Sequence, residues 1–313
     1  MSSPLVIPGH AIYVPRMSLE PQVVRNALLM PFEGTMDYFR AGVFRDGECL
    51  PESLRPGKSG PAMPRAPERR IAGAFVYGGY LFRHYGHFLM ESLSRLYAVK
   101  RCGNLPLLFI SADNASRGYI ERWLRFLRIP NEVHVIRRPT EVEELIVAPA
   151  GCGVVDPFFI IPEQFEVLGV YNPKHHSMTD EKIWLSRSRI NNGGLVNETD
   201  IETTLAAWGW RIAHPEELPL EEQIRLISMS RYVAGLDGSA FFTALLARHV
   251  FGKFFVFSRR RYIPELVRLA LSGKRIDFEE HIPQSLEHIS GRLSTARSRL
   301  SDPEEILGVL RGV

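Results

Sequence analysis

Two stretches of this 313-residue chain place side chains at spacings that suit chemistry. The first is Ala234-Gly235-Leu236-Asp237-Gly238-Ser239-Ala240, which follows the apolar run at Tyr232-Val233 and precedes an apolar stretch reaching Arg248. It reads as a short buried strand, a tight turn of small residues and a helix. Amides at such a helix start lack intrahelical partners, and the dipole adds about half a positive charge there. The turn therefore suits an anion such as a diphosphate. Gly238 and Ser239 lack bulk, so a ligand can approach the backbone, and Gly235 and Ala240 are candidates in the same turn. The plainer reading is an ordinary strand-to-helix turn of an α/β domain. Asp237 is out of place beside a phosphate, but it fits as an acceptor for ribose or sugar hydroxyls, or as a helix cap. Arg187, just past a strand end, carries forked donors that match a diphosphate, and Arg189 is a second candidate. Either could instead pair with Glu198 or Glu202.

The second stretch runs from Arg83 to Tyr97. Leu89, Leu93, Leu96 and Tyr97 fall at helical spacing on one face, whereas His87, Glu91 and Arg95 share another. A carboxylate one turn from an imidazole can orient it and raise its basicity, which is how a general base for a hydroxyl is built. On this reading His87 is the base and Glu91 its orienter or the alternative base. A buried structural pair that fixes the helix competes with it. Asp156, in a Gly-rich loop, is a third candidate, and Arg95 reads as a helix-terminal salt-bridge partner. His84 and His87 have a metal-compatible spacing, but no ligand cluster joins them, so no metal and no cofactor are expected.

The bulk of the chain sets the frame. Hydrophobic residues at 45% and charged ones at 23% describe a globular protein with a core, and a net charge of +3 gives no bias toward nucleic acid. Cys49, Cys102 and Cys152 are too few and too scattered for a disulfide framework, so a reducing compartment fits. The opening residues lack the pattern of a signal peptide, and no window is apolar for long enough to span a bilayer. A cytoplasmic protein is expected, with peripheral association at the inner membrane left open. The basic segments Pro51–Arg70 and Arg259-Arg260-Arg261 could touch an acidic acceptor or a membrane surface, or be solvated surface.

The elements that would position these residues alternate. Residues 1–70 are rich in Pro, Gly and Arg and read as an irregular segment, with Pro51–Arg70 an exposed loop or lid. Strands are expected at 71–77, 107–110, 133–136 and 145–148, with a helix over 116–127. Gly151-Cys152-Gly153 begins a dinucleotide fingerprint but lacks its third Gly, which argues against an NAD-dependent oxidoreductase. The boundary between halves is expected in 163–180. Beyond it come strands at 183–186, 210–213 and 254–257, and helices over 220–229 and 264–271. Another helix opens at a capping box, Thr199 to Glu202. The tail from Pro283 reads as helical. Alternation of this kind implies parallel sheets covered on both faces. The expected organisation is α/β: 1–70 irregular, 71–175 an acceptor-side domain, 176–275 a nucleotide-sugar domain and 276–313 a helical segment.

Three motifs in order resemble one family. Tyr85-Gly86-His87-Phe88-Leu89-Met90-Glu91-Ser92-Leu93-Ser94-Arg95-Leu96 is similar to the Tyr-Gly-His segment of glycosyltransferase family 61. Trp184-Leu185-Ser186-Arg187-Ser188-Arg189, followed by Asn197-Glu198, resembles its Ser-Arg strand and downstream Asn-Glu pair. Leu218-Pro219-Leu220-Glu221-Glu222-Gln223, leading into Ala234-Gly235-Leu236-Asp237-Gly238-Ser239, resembles its donor-site helix and turn. Asp237, Ser239 and Thr243 stand where the family usually has His, Ala and Asn, and His84 stands where it has Asn. The resemblance implies a GT-B fold: two Rossmann-like domains, a cleft between them and a C-terminal closing helix. It also implies a nucleotide-sugar donor held mainly by the second domain, a metal-independent reaction with inversion, and a glycan or glycolipid acceptor, as in cell-surface polysaccharide assembly. The alternative is a non-catalytic sugar-nucleotide or glycan-binding protein that retains the fold.

Overall fold

The computed structural model describes residues 6–7, 10–11, 19–35, 37–111, 116–154, 158–172, 177–191, 193–291 and 295–313. Within them the chain is a mixed α/β protein that divides into two units, Met1–Leu168 and Gly169–Val313. Among the described residues no helix is long and apolar enough to cross a membrane.

The first unit is built on strands β1 (Gln22–Gly34), β2 (Phe39–Arg45), β3 (Glu48–Cys49), β4 (Ser59–Pro61), β5 (Arg69–Leu81), β6 (Leu107–Ser111), β7 (Val133–Ile136) and β8 (Thr140–Val147). They form one sheet in the order β3-β2-β1-β8-β5-β6-β7, with β4 beside β2. The section β8-β5-β6-β7 is parallel, and β1 joins it antiparallel along β8. Residues 1–70 are therefore not an irregular segment, because β1 and β2 are integral to the sheet. Their alternation is obscured at Asn26, where φ is 51° and two successive residues, Arg25 and Asn26, both face out. Past the kink Leu29, Met30 and Pro31 are all buried, so no period of two can be read along the strand.

Pro51–Arg70 is likewise not simply an exposed loop. A 3₁₀ turn over Pro51–Ser53 is pinned by Ser53, whose Oγ accepts from Val43 N at 2.9 Å and donates to Leu50 O at 2.7 Å. Tyr77 Oη reaches Ser53 O at 3.1 Å, and β4 follows. Arg95 closes the arrangement from the other side. Its guanidinium donates to Ala148 O at 3.0 Å, Glu52 O at 2.7 Å and Leu54 O at 3.2 Å, so it bonds carbonyls and not a carboxylate partner.

The second unit holds a five-stranded, wholly parallel sheet: β9 (Thr179–Leu185), β10 (Arg211–Ala213), β11 (Ser230–Leu236), β12 (Lys253–Phe257) and β13 (Phe278–His281), in the order β10-β9-β11-β12-β13. Counted within the unit this is 2-1-3-4-5, the flavodoxin-like doubly wound order, whose strand order reverses between the first and third strands. Helices Glu198–Ala207 and Leu220–Met229 connect the strands around that point. The expected capping box does not form. The helix begins one residue before Thr199, and the Glu202 carboxylate bonds Ser186 and Ser188 instead of a backbone amide.

The tail is not a helical segment. Leu286–Ser290 and Arg297–Leu300 form an antiparallel pair that joins Gly194–Leu195, and an α-helix follows at Glu304–Leu310. Arg297 and Arg299 point outward while Ser298 and Leu300 point inward, a period of two that charged residues hide from a composition-based reading. The last helix lays Ile306, Leu307 and Leu310 into the core of the second unit, beside Leu205, Trp210 and Leu286. Ile306→Ala should lower stability by about 2–5 kcal/mol, as expected for emptying a fully buried aliphatic site. A urea unfolding midpoint that does not move would mean this helix contributes nothing to the core.

Candidate active site

Each unit places a charged cluster at the carboxyl ends of its parallel strands. In the first, the chain leaves β5 at Leu81 and turns through His84 into one α-helical turn, Tyr85–His87. It then widens into a π-helical turn over Phe88–Ser92, with Leu93 N bonding Phe88 O five residues back at 3.2 Å. Wide turns of this kind recur at functional sites. Ser92 anchors this one by accepting from Phe82 N at 2.9 Å.

The turn brings His87 and Glu91 together. His87 Nδ1 bonds Glu91 Oε2, and the imidazole keeps 32% of its side chain exposed while the carboxylate keeps 7%. An ionised carboxylate only accepts, so the shared proton belongs to Nδ1 and the neutral ring carries its lone pair on Nε2. Glu91 is also clamped by Arg55, through Nε to Oε1 and through Nη2 to Oε2 at 2.8 Å. Burial pushes the Glu91 carboxyl up, but the bonds from His87 and Arg55 together with their charges outweigh it and hold the group below its ordinary range. Arg95, eight residues after His87, would share its face in an α-helix. Here the helix stops after the π turn and a turn over 93–95 intervenes, which leaves Arg95 facing the carbonyls it anchors. Asp156, the remaining candidate base, lies outside the described residues.

Arg55 carries no sequence signal that could have found it. It sits 36 residues from Glu91 in a proline-rich stretch, and only the folding of that stretch against β2 and β5 brings it in.

In the second unit Arg187 follows β9 and Gly238 follows β11, on the two sides of the point where the strand order reverses. Ligands of doubly wound sheets sit at this position. The two residues are in contact: a Cβ added to Gly238 would lie 2.8 Å from Arg187 Nη1, so glycine lets the guanidinium pack on the turn. Gly235 is different. It is buried in β11, where a Cβ would meet Leu185 O at 3.0 Å, so its small size serves strand packing. Ser239 and Ala240 are half-buried at the start of a helix over Ser239–Leu246 that is 3₁₀ and not α.

Asp237 does not cap that helix. It is fully buried, its Oδ1 accepts from Arg259 N at 2.9 Å, and its Oδ2 accepts from Arg260 Nε at 3.2 Å and Nη2 at 2.7 Å. Its charge is thus spent on fixing two arginines of the run Arg259-Arg260-Arg261, which is surface only in part: Arg259 is 3% exposed and Arg260 half-buried, while Arg261 is exposed. Burial pushes the Arg259 guanidinium down to about 10, with Asp237 opposing and Arg260 and Arg187 adding to the push. Burial likewise lowers Arg187, against the pull of Glu198 and Asp237 and with the help of Arg260. Arg259 and Arg260 flank one carboxylate, and Arg187 is near enough to feel the same charges. A cavity of about 250 Å³ opens beside Arg260, walled by Arg261, Tyr262, Leu286, His288 and Ser298. Arg189 stands apart, in an exposed ion pair with Glu217 at 2.6 Å.

Glu198 completes this cluster. Its Oε1 accepts from Trp184 Nε1 at 3.1 Å and Arg187 N at 2.9 Å, which fixes the backbone that carries the Arg187 side chain. Its Oε2 is buried without a hydrogen bond. Among the described residues no three His, Cys, Asp or Glu side chains converge as metal ligands would.

The sequence model of the family Glycosyltransferase 61 matches residues 85–250, just over half of the chain, and so covers His87, Glu91, Arg187 and the Gly238 turn but not Arg55 or Arg260. No curated protein matches the chain.

Glu198 generates a prediction about pH. Burial raises its carboxyl to about 7, against the bonds from Arg187 N and Trp184. The folded protein therefore holds this proton over a range in which the unfolded chain has released it, and stability falls as pH rises from 4.5 to about 7. The loss amounts to about 3 kcal/mol at 1.36 kcal/mol per unit. Glu198→Gln preserves the acceptor for Trp184 and Arg187. It should flatten that slope and stabilise the protein at pH 8, and denaturation at several pH values measures both. An unchanged slope would show that Glu198 ionises normally.

Proposed function

The chain belongs to glycosyltransferase family 61, and from that premise we propose that it transfers a sugar with inversion from a nucleotide-sugar donor to a hydroxyl of a glycan or glycolipid. In this reading each α/β unit is one half of a GT-B enzyme. The observation that carries it is the His87–Glu91 pair, a half-exposed imidazole whose Nδ1 is committed to a buried carboxylate and whose Nε2 remains available.

The reaction then runs as follows. The donor diphosphate lies at the Gly238 turn, where Arg187 and Arg260 meet the charge that builds on it as the glycosidic bond breaks. Asp237 keeps the arginines in place without presenting its own charge to the phosphate. His87 Nε2 takes the proton of the acceptor hydroxyl while its oxygen bonds the anomeric carbon from the face opposite the leaving group. Glu91 stabilises the imidazolium that results, and the proton passes to solvent as the nucleoside diphosphate leaves. Arginines supply the positive charge at the leaving group, so no metal ion is required and chelation with EDTA leaves the rate unchanged. The setting in this reading is cell-surface polysaccharide assembly on the cytoplasmic side, with the enzyme working at the membrane surface.

The test is nucleoside diphosphate release from a panel of nucleotide sugars. His87→Ala should lower turnover by about 10²–10⁴-fold, the usual contribution of a general base. Arg187→Ala should lower kcat/KM by about 10²–10³-fold, as for the loss of one donor to a developing charge. Turnover that survives His87→Ala within a factor of two sinks the assignment of the base. Tight donor binding without any release would instead make this a sugar-nucleotide-binding protein.

A further inference from the structure

Arg55 enters the first cluster from outside the segment matched to the family. It is 3% exposed, and its guanidinium meets both oxygens of Glu91 as a fork. The Phe82 and Phe39 rings flank it, with centroids 5.0 and 5.9 Å from its central carbon. Such packing holds the plane of the fork and keeps water from it. The same Nη2 lies 3.3 Å from His87 Nδ1. Because Glu91 only accepts, Nδ1 carries a hydrogen, and Nη2 does too, so these two groups face each other as like-signed neighbours and not as a bonded pair.

The charges on His87 therefore oppose each other. Glu91 alone would draw a second proton onto the ring, as a carboxylate does for an adjacent imidazole. Arg55 cancels part of that pull from one side of Nδ1 and satisfies the carboxylate from the other. Among the described residues the His84 ring lies 5.1 Å from His87 between centroids and the Phe82 ring 6.0 Å, and near Glu91 and Arg55 is the buried Cys152 thiol, which burial and Glu91 push well up and Arg55 draws down. That thiol therefore stays protonated and adds no charge to the balance.

We propose that Arg55 is a positioning residue for the transfer reaction, one that holds Glu91 as an oriented carboxylate and, by its charge beside Nδ1, keeps the His87 ring neutral and ready to accept a proton at Nε2. The proposal rests on the reading of His87 as the base. A residue that only glued the 51–55 turn in place would change the rate equally at every pH, whereas Arg55 acts on the pH at which the base becomes competent.

The experiment compares wild type, Arg55→Gln and the double variant Arg55→Gln/Glu91→Gln by two measurements: the pH profile of nucleoside diphosphate release, and the pH response of the His87 ring-nitrogen NMR signals. In Arg55→Gln the acid limb of the profile should move to higher pH by about one unit, with about a tenfold loss of rate below it. The double variant replaces the ion pair by two neutral amides and leaves no buried carboxylate uncompensated, so it remains testable if the single variant does not fold. Its limb should lie within about half a unit of wild type, because two opposing charges have left together. A folded Arg55→Gln protein with an unmoved limb overturns the proposal, as does a double variant whose limb drops to lower pH. If the wild type releases no nucleotide from any donor, the transferase reading fails, yet the ring-nitrogen signals still decide whether Arg55 governs His87.

Discussion

A carboxylate taken out of water must be compensated where it stands, and in the first unit that requirement falls on Glu91. His87 answers it from one turn earlier and Arg55 from 36 residues away. Arg55 needs its own support. The turn before it is tied to β2 through Ser53, to β5 through Tyr77 and to Arg95 through the carbonyls of Glu52 and Leu54. Arg95 fits only because Gly79, at φ 95°, has no Cβ: one added there would sit 2.6 Å from Nη1. One buried charge thus accounts for an otherwise unexplained turn, a glycine inside a strand and a second buried arginine.

The second unit meets the same requirement twice, with different outcomes. Asp237 receives three N–H groups and serves as a fixed anchor for Arg259 and Arg260. Glu198 receives two, both on one oxygen, and ordinary burial leaves its carboxyl near neutrality. Between them lies Arg187, whose backbone is set by Glu198 and whose guanidinium rests against Gly238. The parallel order of the sheet puts all of this at one edge, since Arg187, Asp237 and Arg259 each follow the carboxyl end of a strand.

What could be read in the sequence was local. The strands Thr179–Leu185, Arg211–Ala213, Ser230–Leu236 and Lys253–Phe257 follow from period and punctuation, and helix Leu220–Met229 lies where its apolar spacing puts it. The His87–Glu91 contact follows from helical spacing, and the importance of Gly238 from its lack of bulk. What could not be read depended on distant partners or on a break in period. Asn26 scrambled the alternation of β1, outward arginines disguised the strand Arg297–Leu300, and Asp237 looked misplaced until Arg259 and Arg260 were set beside it. Arg55 is the extreme case, since nothing within thirty residues of it hints at Glu91.

The π turn over Phe88–Ser92 has a consequence for any comparison of this segment with others. The widened turn is followed by a break: the helix stops after Ser92, residues 93–95 form a turn, and a separate short helix starts at Leu96. The His87–Glu91 pair and the structural anchor Arg95 can share one short piece of chain because this break sends them to different partners. A residue lost between Phe88 and Arg95 would pull either the pair or the anchor off its partners, so the length of this segment is constrained more tightly than its composition.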